Sequence, residues 1–149
     1  MAAALLLFAA LATFTGTMLV VSELLRVRMR WMAFRRRGES HEAFERYFVQ
    51  RGHPVRIARA TYSYLQRIAG VANFPARPHD GLGDVYGMGQ DEVLDMLCVV
   101  ASMSDCDAVL DERAHDDAEI QTVEDVVRTI ARLSVAQAGE RRGTTLRMG

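Results

Sequence analysis

Lysine is absent from this chain: all 18 basic residues are arginine, a bias of the kind a GC-rich genome imposes. The absence excludes a Walker-type phosphate loop, which needs a lysine beside its serine or threonine. Gly81, Gly83, Gly87 and Gly89 are therefore read as turn formers. Cysteine is scarce as well, with Cys98 and Cys106 alone and in no CxxC spacing. That excludes a disulfide framework or a zinc site. Cys98 stands among apolar residues with no cationic neighbour to activate it, so it is expected to be a core thiol. The four histidines, His41, His53, His79 and His115, show no HExxH or other paired spacing and are expected at the surface. Asp105, Asp107, Asp111, Asp116 and Asp117 form an acidic run. An EF-hand loop requires a glycine at its sixth position and a glutamate at its twelfth, and neither falls in register here. No catalytic residue, metal or cofactor is expected, and the chain is read as a non-enzyme.

Charge is missing from residues 1–22, where Ala, Leu, Phe and Val dominate. About 20 apolar residues suffice to cross the hydrocarbon layer of a bilayer. The first charges are Glu23 and then Arg26, Arg28, Arg30, Arg35, Arg36 and Arg37, with Trp31 among them. Arginines on one flank alone place that flank in the cytoplasm. A cleaved signal peptide would need a basic segment before the apolar run, and there is none. Residues 1–25 are thus expected to be a single-pass transmembrane anchor in the inner membrane of a bacterium. Residues 26–52 then form a basic juxtamembrane segment with a short amphipathic helix. Trp31 and the six arginines are expected at the membrane interface, each arginine adding about 1 kcal/mol of attraction to anionic lipid. Membrane lipid, not nucleic acid, is their expected partner.

The net charge of −1 conceals an asymmetry. Residues 1–77 hold 12 arginines against 4 acids, whereas residues 78–138 hold 3 arginines against 14 acids. A basic half joined to an acidic half bears on what the chain can dock to.

Helix signals dominate the remainder. Ser40 is a good N-cap for a helix over 41–50 carrying Phe44, Tyr47 and Phe48, and Gly52 follows it. Pro54 opens a second helix running to Ala69, with Gly70 as its stop. Val55, Ile57, Ala58, Tyr62, Leu65, Ile68 and Ala69 form its apolar face, leaving Arg56, Arg59 and Arg67 solvated. Residues 71–90 carry Pro75, Pro78 and several glycines and read as a long loop, pinned by Leu82, Val85, Tyr86 and Met88. A third helix spans Gln90 to Ser104, with Asp91, Glu92 and Asp95 near its start, where acids complement the helix dipole. A polar stretch from Asp105 to Glu119, with a short helical turn, leads to Thr122. Thr122 caps the last helix, with Glu124 and Asp125 in its first turn. After Gln137 the tail, 138–149, reads as basic and disordered.

This order of elements over 54–136 resembles the acyl carrier protein fold. The residues that carry the resemblance are Ile120 through Val127 at the entry to the last helix. Asp80-Gly81-Leu82-Gly83 through Gly87, and then Gln90 to Asp95, match the approach to the carrier's second helix. The resemblance implies an all-α domain over residues 53–137, a bundle of three to four helices behind the transmembrane helix. Carriers attach phosphopantetheine to a serine opening that second helix, and Gln90 stands near that place here. Carrier activity is therefore not implied. A recognition surface is: Asp91, Glu92 and Asp95 would meet a basic patch on a partner protein. The expected function is a membrane-tethered scaffold or recruitment module. The alternative is an accessory subunit of a larger membrane complex, working through its transmembrane helix.

Overall fold

Ser40, Gly70 and Thr122 punctuate the chain as a helical protein should be punctuated, and helices are what form. The computed structural model describes residues 2–106 and 120–145, excepting the side chains of 2–12, 16, 18–22 and 136–145. Among the described residues there are six helices: α1 (Ala2–Arg35), α2 (His41–Gln50), α3 (Val55–Ala69), α4 (Leu82–Tyr86), α5 (Gln90–Met103) and α6 (Val123–Thr145). The helical turn expected between Asp105 and Glu119 falls mainly on 107–119, outside the described residues, as does His115.

Local chemistry sets the helix ends. Ser40 accepts the Ala43 N–H at 3.2 Å, satisfying one of the first-turn donors of α2. Gly70 ends α3 in the left-handed conformation at φ 60°, which a residue without Cβ adopts at little cost. Thr122 Oγ1 accepts the Asp125 N–H at 3.3 Å while the Asp125 carboxylate accepts the Thr122 N–H at 3.0 Å, a reciprocal cap in which Asp replaces the usual Glu. α6 continues to Thr145, beyond Gln137.

α3 is the central helix and packs on α2, α5 and α6. Its buried face includes Ile57, Ala58, Thr61, Tyr62, Tyr64 and Leu65. Phe44 and Phe48 of α2 cover one side. Met96, Leu97 and Val100 of α5, with Val126, Val127 and Ile130 of α6, close the core. Burial of each such side chain contributes roughly 1.5–3 kcal/mol. Val55 and Ile68, expected inside, are 39% and 44% exposed. The buried arc of α3 is instead filled by Thr61 and Tyr64.

The loop after α3 is shorter than the sequence suggests, because α4 forms within it. Leu82 and Tyr86 do pin it, as both are buried. An isolated antiparallel bridge, Gly81 to Thr122, joins it to the start of α6. There the Leu82 N–H reaches the Gln121 carbonyl at 2.8 Å and the Val123 N–H reaches the Asp80 carbonyl at 3.1 Å.

Among the described residues no helix is long and apolar enough to cross a membrane. This corrects the transmembrane anchor expected at residues 1–25, and with it the inner-membrane placement. Glu23 lies within the expected span, and Arg26, Arg28 and Arg30 follow it directly on the same helix; such charged groups are costly to place in hydrocarbon. The second half of α1 is also part of the helical body. Met29 is buried, Met32 and Ala33 pack against the core, and Arg28 donates to the Asp84 carbonyl.

Candidate functional site

The residues expected to carry recognition stand at the start of α5. Gly89 is its N-cap and Gln90 its first residue, so the place where the resemblance calls for a serine is an exposed helix terminus holding a carboxamide. Gly89 has no side chain to cap with. The Glu92 carboxylate turns back instead and accepts the Gly89 N–H at 2.7 Å, the Glu arm of a capping box.

Asp91, Glu92 and Asp95 are all exposed, but they are not equivalent. Glu92 is engaged in its cap. Asp91 and Asp95, one turn apart, point outward, as does Asp84 on the neighbouring α4. None of these three aspartates forms an ion pair among the described residues. The opposite face of α5, with Val93, Met96, Leu97 and Val100, is buried against α3 and α6. The acids therefore sit on a rigid mount. Tyr64 of α3 lies beneath this edge. Burial raises its phenol above the ordinary value, aided by the negative charge of Asp95 and Glu92 and opposed by Arg67. Cys98, expected in the core, is exposed. It lies seven residues after Asp91 and so shares its face. The core thiol is Cys106.

The arginines of 26–37 divide by helix face. Arg36 turns inward: its guanidinium pairs with both Asp80 oxygens at 2.7 and 2.8 Å, reaches the Pro75 carbonyl at 3.2 Å and lies over Phe74. Its expected place at a lipid interface is thus corrected. Asp80 also accepts the Arg77 N–H at 2.9 Å and the Tyr86 hydroxyl at 3.3 Å. Burial and the Asp80 carboxylate hold the Tyr86 phenol far above its ordinary range. Arg26 pairs with Glu23, Arg35 lies 4.6 Å from the Trp31 ring centre and Arg37 lies 4.3 Å from that of Phe34. Trp31 itself is 57% exposed.

One polar cluster was not legible from the sequence. The Tyr47 hydroxyl donates to Glu124 at 2.8 Å, and His79 stands 3.2 Å from both groups. Arg51 stacks 3.6 Å over the Tyr47 ring. Burial, then the Glu124 hydrogen bond, raises the Tyr47 phenol above its usual value, so it acts as a neutral donor. The cluster joins α2 to the start of α6 and presents no activated nucleophile. Among the described residues no group of three or more His, Cys, Asp or Glu could hold a metal ion.

Comparison with family models, curated proteins and solved structures finds no match for this chain.

Proposed function

We propose that this protein is a non-enzymatic interaction module. Its acyl-carrier-like helical body lacks the prosthetic-group serine, and the acidic edge of α4 and α5 docks on a basic surface of a partner protein. The observation that carries the reading is the trio Asp84, Asp91 and Asp95. These carboxylates are exposed, form no ion pair among the described residues, and are fixed to helices whose other faces are core. Charges held in this way steer encounter and set register more than they add raw affinity. The order of elements, with α4 in the loop before α5 and a Thr-capped last helix, supports the carrier-like reading. The residue at the start of α5 supports the absence of carrier chemistry.

The test is affinity capture of the full-length protein from its native host, compared with an Asp91→Arg/Asp95→Arg variant. Glu92 is left alone because its carboxylate caps α5. The reading expects a specific partner that is lost from the variant while helical content and melting temperature stay unchanged. A partner retained equally by both proteins would refute it. Intact mass of the native protein is the companion measurement, since a phosphopantetheine adduct would make it a carrier after all.

A further inference from the structure

From residue 24 to the end of α1 at Arg35, and on through the turn to residue 37, the exposed side of the chain follows a heptad. Leu24, Val27, Trp31 and Phe34 recur at spacings of three, four and three, and are 64%, 60%, 57% and 59% exposed. In heptad terms they are the a and d positions. Arg28 and Arg35 then fall at e, and Arg30 and Arg37 at g. Met29 and Arg36 fall at f, opposite the seam, and both turn toward the body: Met29 is buried, and Arg36, just past the helix end, pairs with Asp80. The seam therefore faces away from the core along its whole described length.

We propose that this face of α1 is one half of a coiled coil and docks an acidic amphipathic helix of a partner protein. Charge selects that occupant. All four e and g positions are arginine, and none of the four meets a carboxylate among the described residues. Arg28 donates to a backbone carbonyl, Arg35 and Arg37 lie over aromatic rings, and Arg30 is exposed. A second copy of this chain is a poorer occupant: in a parallel pair with the seam in register, Arg30 at g would face Arg35 at e, while Glu23, at the g position just before the seam, would face Arg28. A partner helix with Glu or Asp at those positions satisfies all four. The width of the seam distinguishes a helix from a lipid surface. The apolar residues more than half exposed here, Leu24, Val27, Trp31 and Phe34, stand at a and d, with Leu25 at b 40% exposed, and cations flank this strip as they do the narrow seam of a coiled coil. A helix lying in a bilayer interface presents a broad apolar face.

Trp31 is the sole tryptophan and occupies an a position, so its emission reports the docking directly. The full-length protein is titrated with a synthetic helical peptide carrying Leu at a and d and Glu at e and g. Parallel titrations use the same peptide with Lys at e and g, and phosphatidylcholine vesicles with and without phosphatidylglycerol. The acidic peptide is expected to give a saturable blue shift that weakens as salt is raised, whereas the Lys peptide gives none. Arg30→Glu/Arg37→Glu should weaken binding roughly ten-fold. Val27→Asp, at an exposed site, should abolish the shift with helical content unchanged. No shift, or the same shift with both peptides, overturns the proposal. A shift with anionic vesicles but not with the acidic peptide also overturns it, in favour of a lipid surface.

Discussion

Replacing Asp80 with Asn keeps the side-chain shape and removes the charge from a carboxylate that accepts from Arg36, Arg77 and Tyr86. Asp80 is 5% exposed and its partner Arg36 is 13% exposed. The pair ties the end of α1 to the loop before α4, and through the Asp80 carbonyl to the start of α6. A buried pair is not strongly stabilising against an apolar substitute, but a buried charge that loses its partner costs about 3–5 kcal/mol. The Asn oxygen can still accept the Arg77 N–H and the Tyr86 hydroxyl, so the lower end, about 3 kcal/mol, is expected. At about 2–4 °C per kcal/mol for a chain of this size, the melting temperature should fall by roughly 10 °C. The assay is thermal unfolding followed by far-ultraviolet circular dichroism. It is run on Asp80→Asn, on Arg36→Met and on the double variant. Arg36→Met strands the carboxylate and should cost a similar amount, while the double variant strands neither charge. Its loss should fall short of the sum of the two singles by about 2 kcal/mol or more. A cost below about 1 kcal/mol for either single, or simple additivity, would refute the reasoning.

Further outcomes follow from the same contacts. The Tyr86 phenol titrates above its ordinary value of 10.0 because burial and Asp80 disfavour the anion. Its contribution to stability is therefore full below pH 10 and lost as pH rises beyond it. Tyr86→Phe should flatten that alkaline loss in unfolding measured from pH 9 to 11, at a small cost near neutrality. Glu39 is held below its ordinary value of 4.5, chiefly by the hydrogen bond from Arg77. Its stabilisation is present above pH 4.5 and fades as pH falls through the lowered value, so Glu39→Gln should reduce the acid-side slope. Thr122→Ala removes the cap of α6 and should cost about 1 kcal/mol in denaturant unfolding. With a thiol-specific chromogenic reagent, Cys98 should react at once and Cys106 only on unfolding, since the first is exposed and the second buried.

What the sequence made legible was local. The Ser40, Gly70 and Thr122 signals act over a few positions, and the helix ends they predicted are the ones observed. Long-range partners were not legible. Arg36 and Asp80 stand 44 residues apart, and nothing near Arg36 distinguishes it from the arginines on either side. Its burial follows from a heptad position that faces the body. Tyr47, His79 and Glu124 come from three separate segments. Cys98 sits in an apolar run, but the run wraps the whole helix, so the exposed line through Asp91, Asp95 and Cys98 appears only when α5 is docked. Acidity at the start of α5 was visible from composition. That Glu92 is occupied as a cap while Asp91 and Asp95 stay outward needed the coordinates.

The central claim, a partner protein held at the acidic edge of α5, is tested most directly from Cys98. A maleimide-linked benzophenone is placed on that thiol of the full-length protein and photolysed in native host extract. Crosslinked peptides are identified by mass spectrometry. The account predicts one dominant adduct, joined at an Arg- or Lys-rich surface of its partner and diminished by salt. It should be absent when the same label is carried by a folded Asp91→Arg/Asp95→Arg protein. An adduct that forms equally with the charge-reversed protein, or no specific adduct at all, would contradict it.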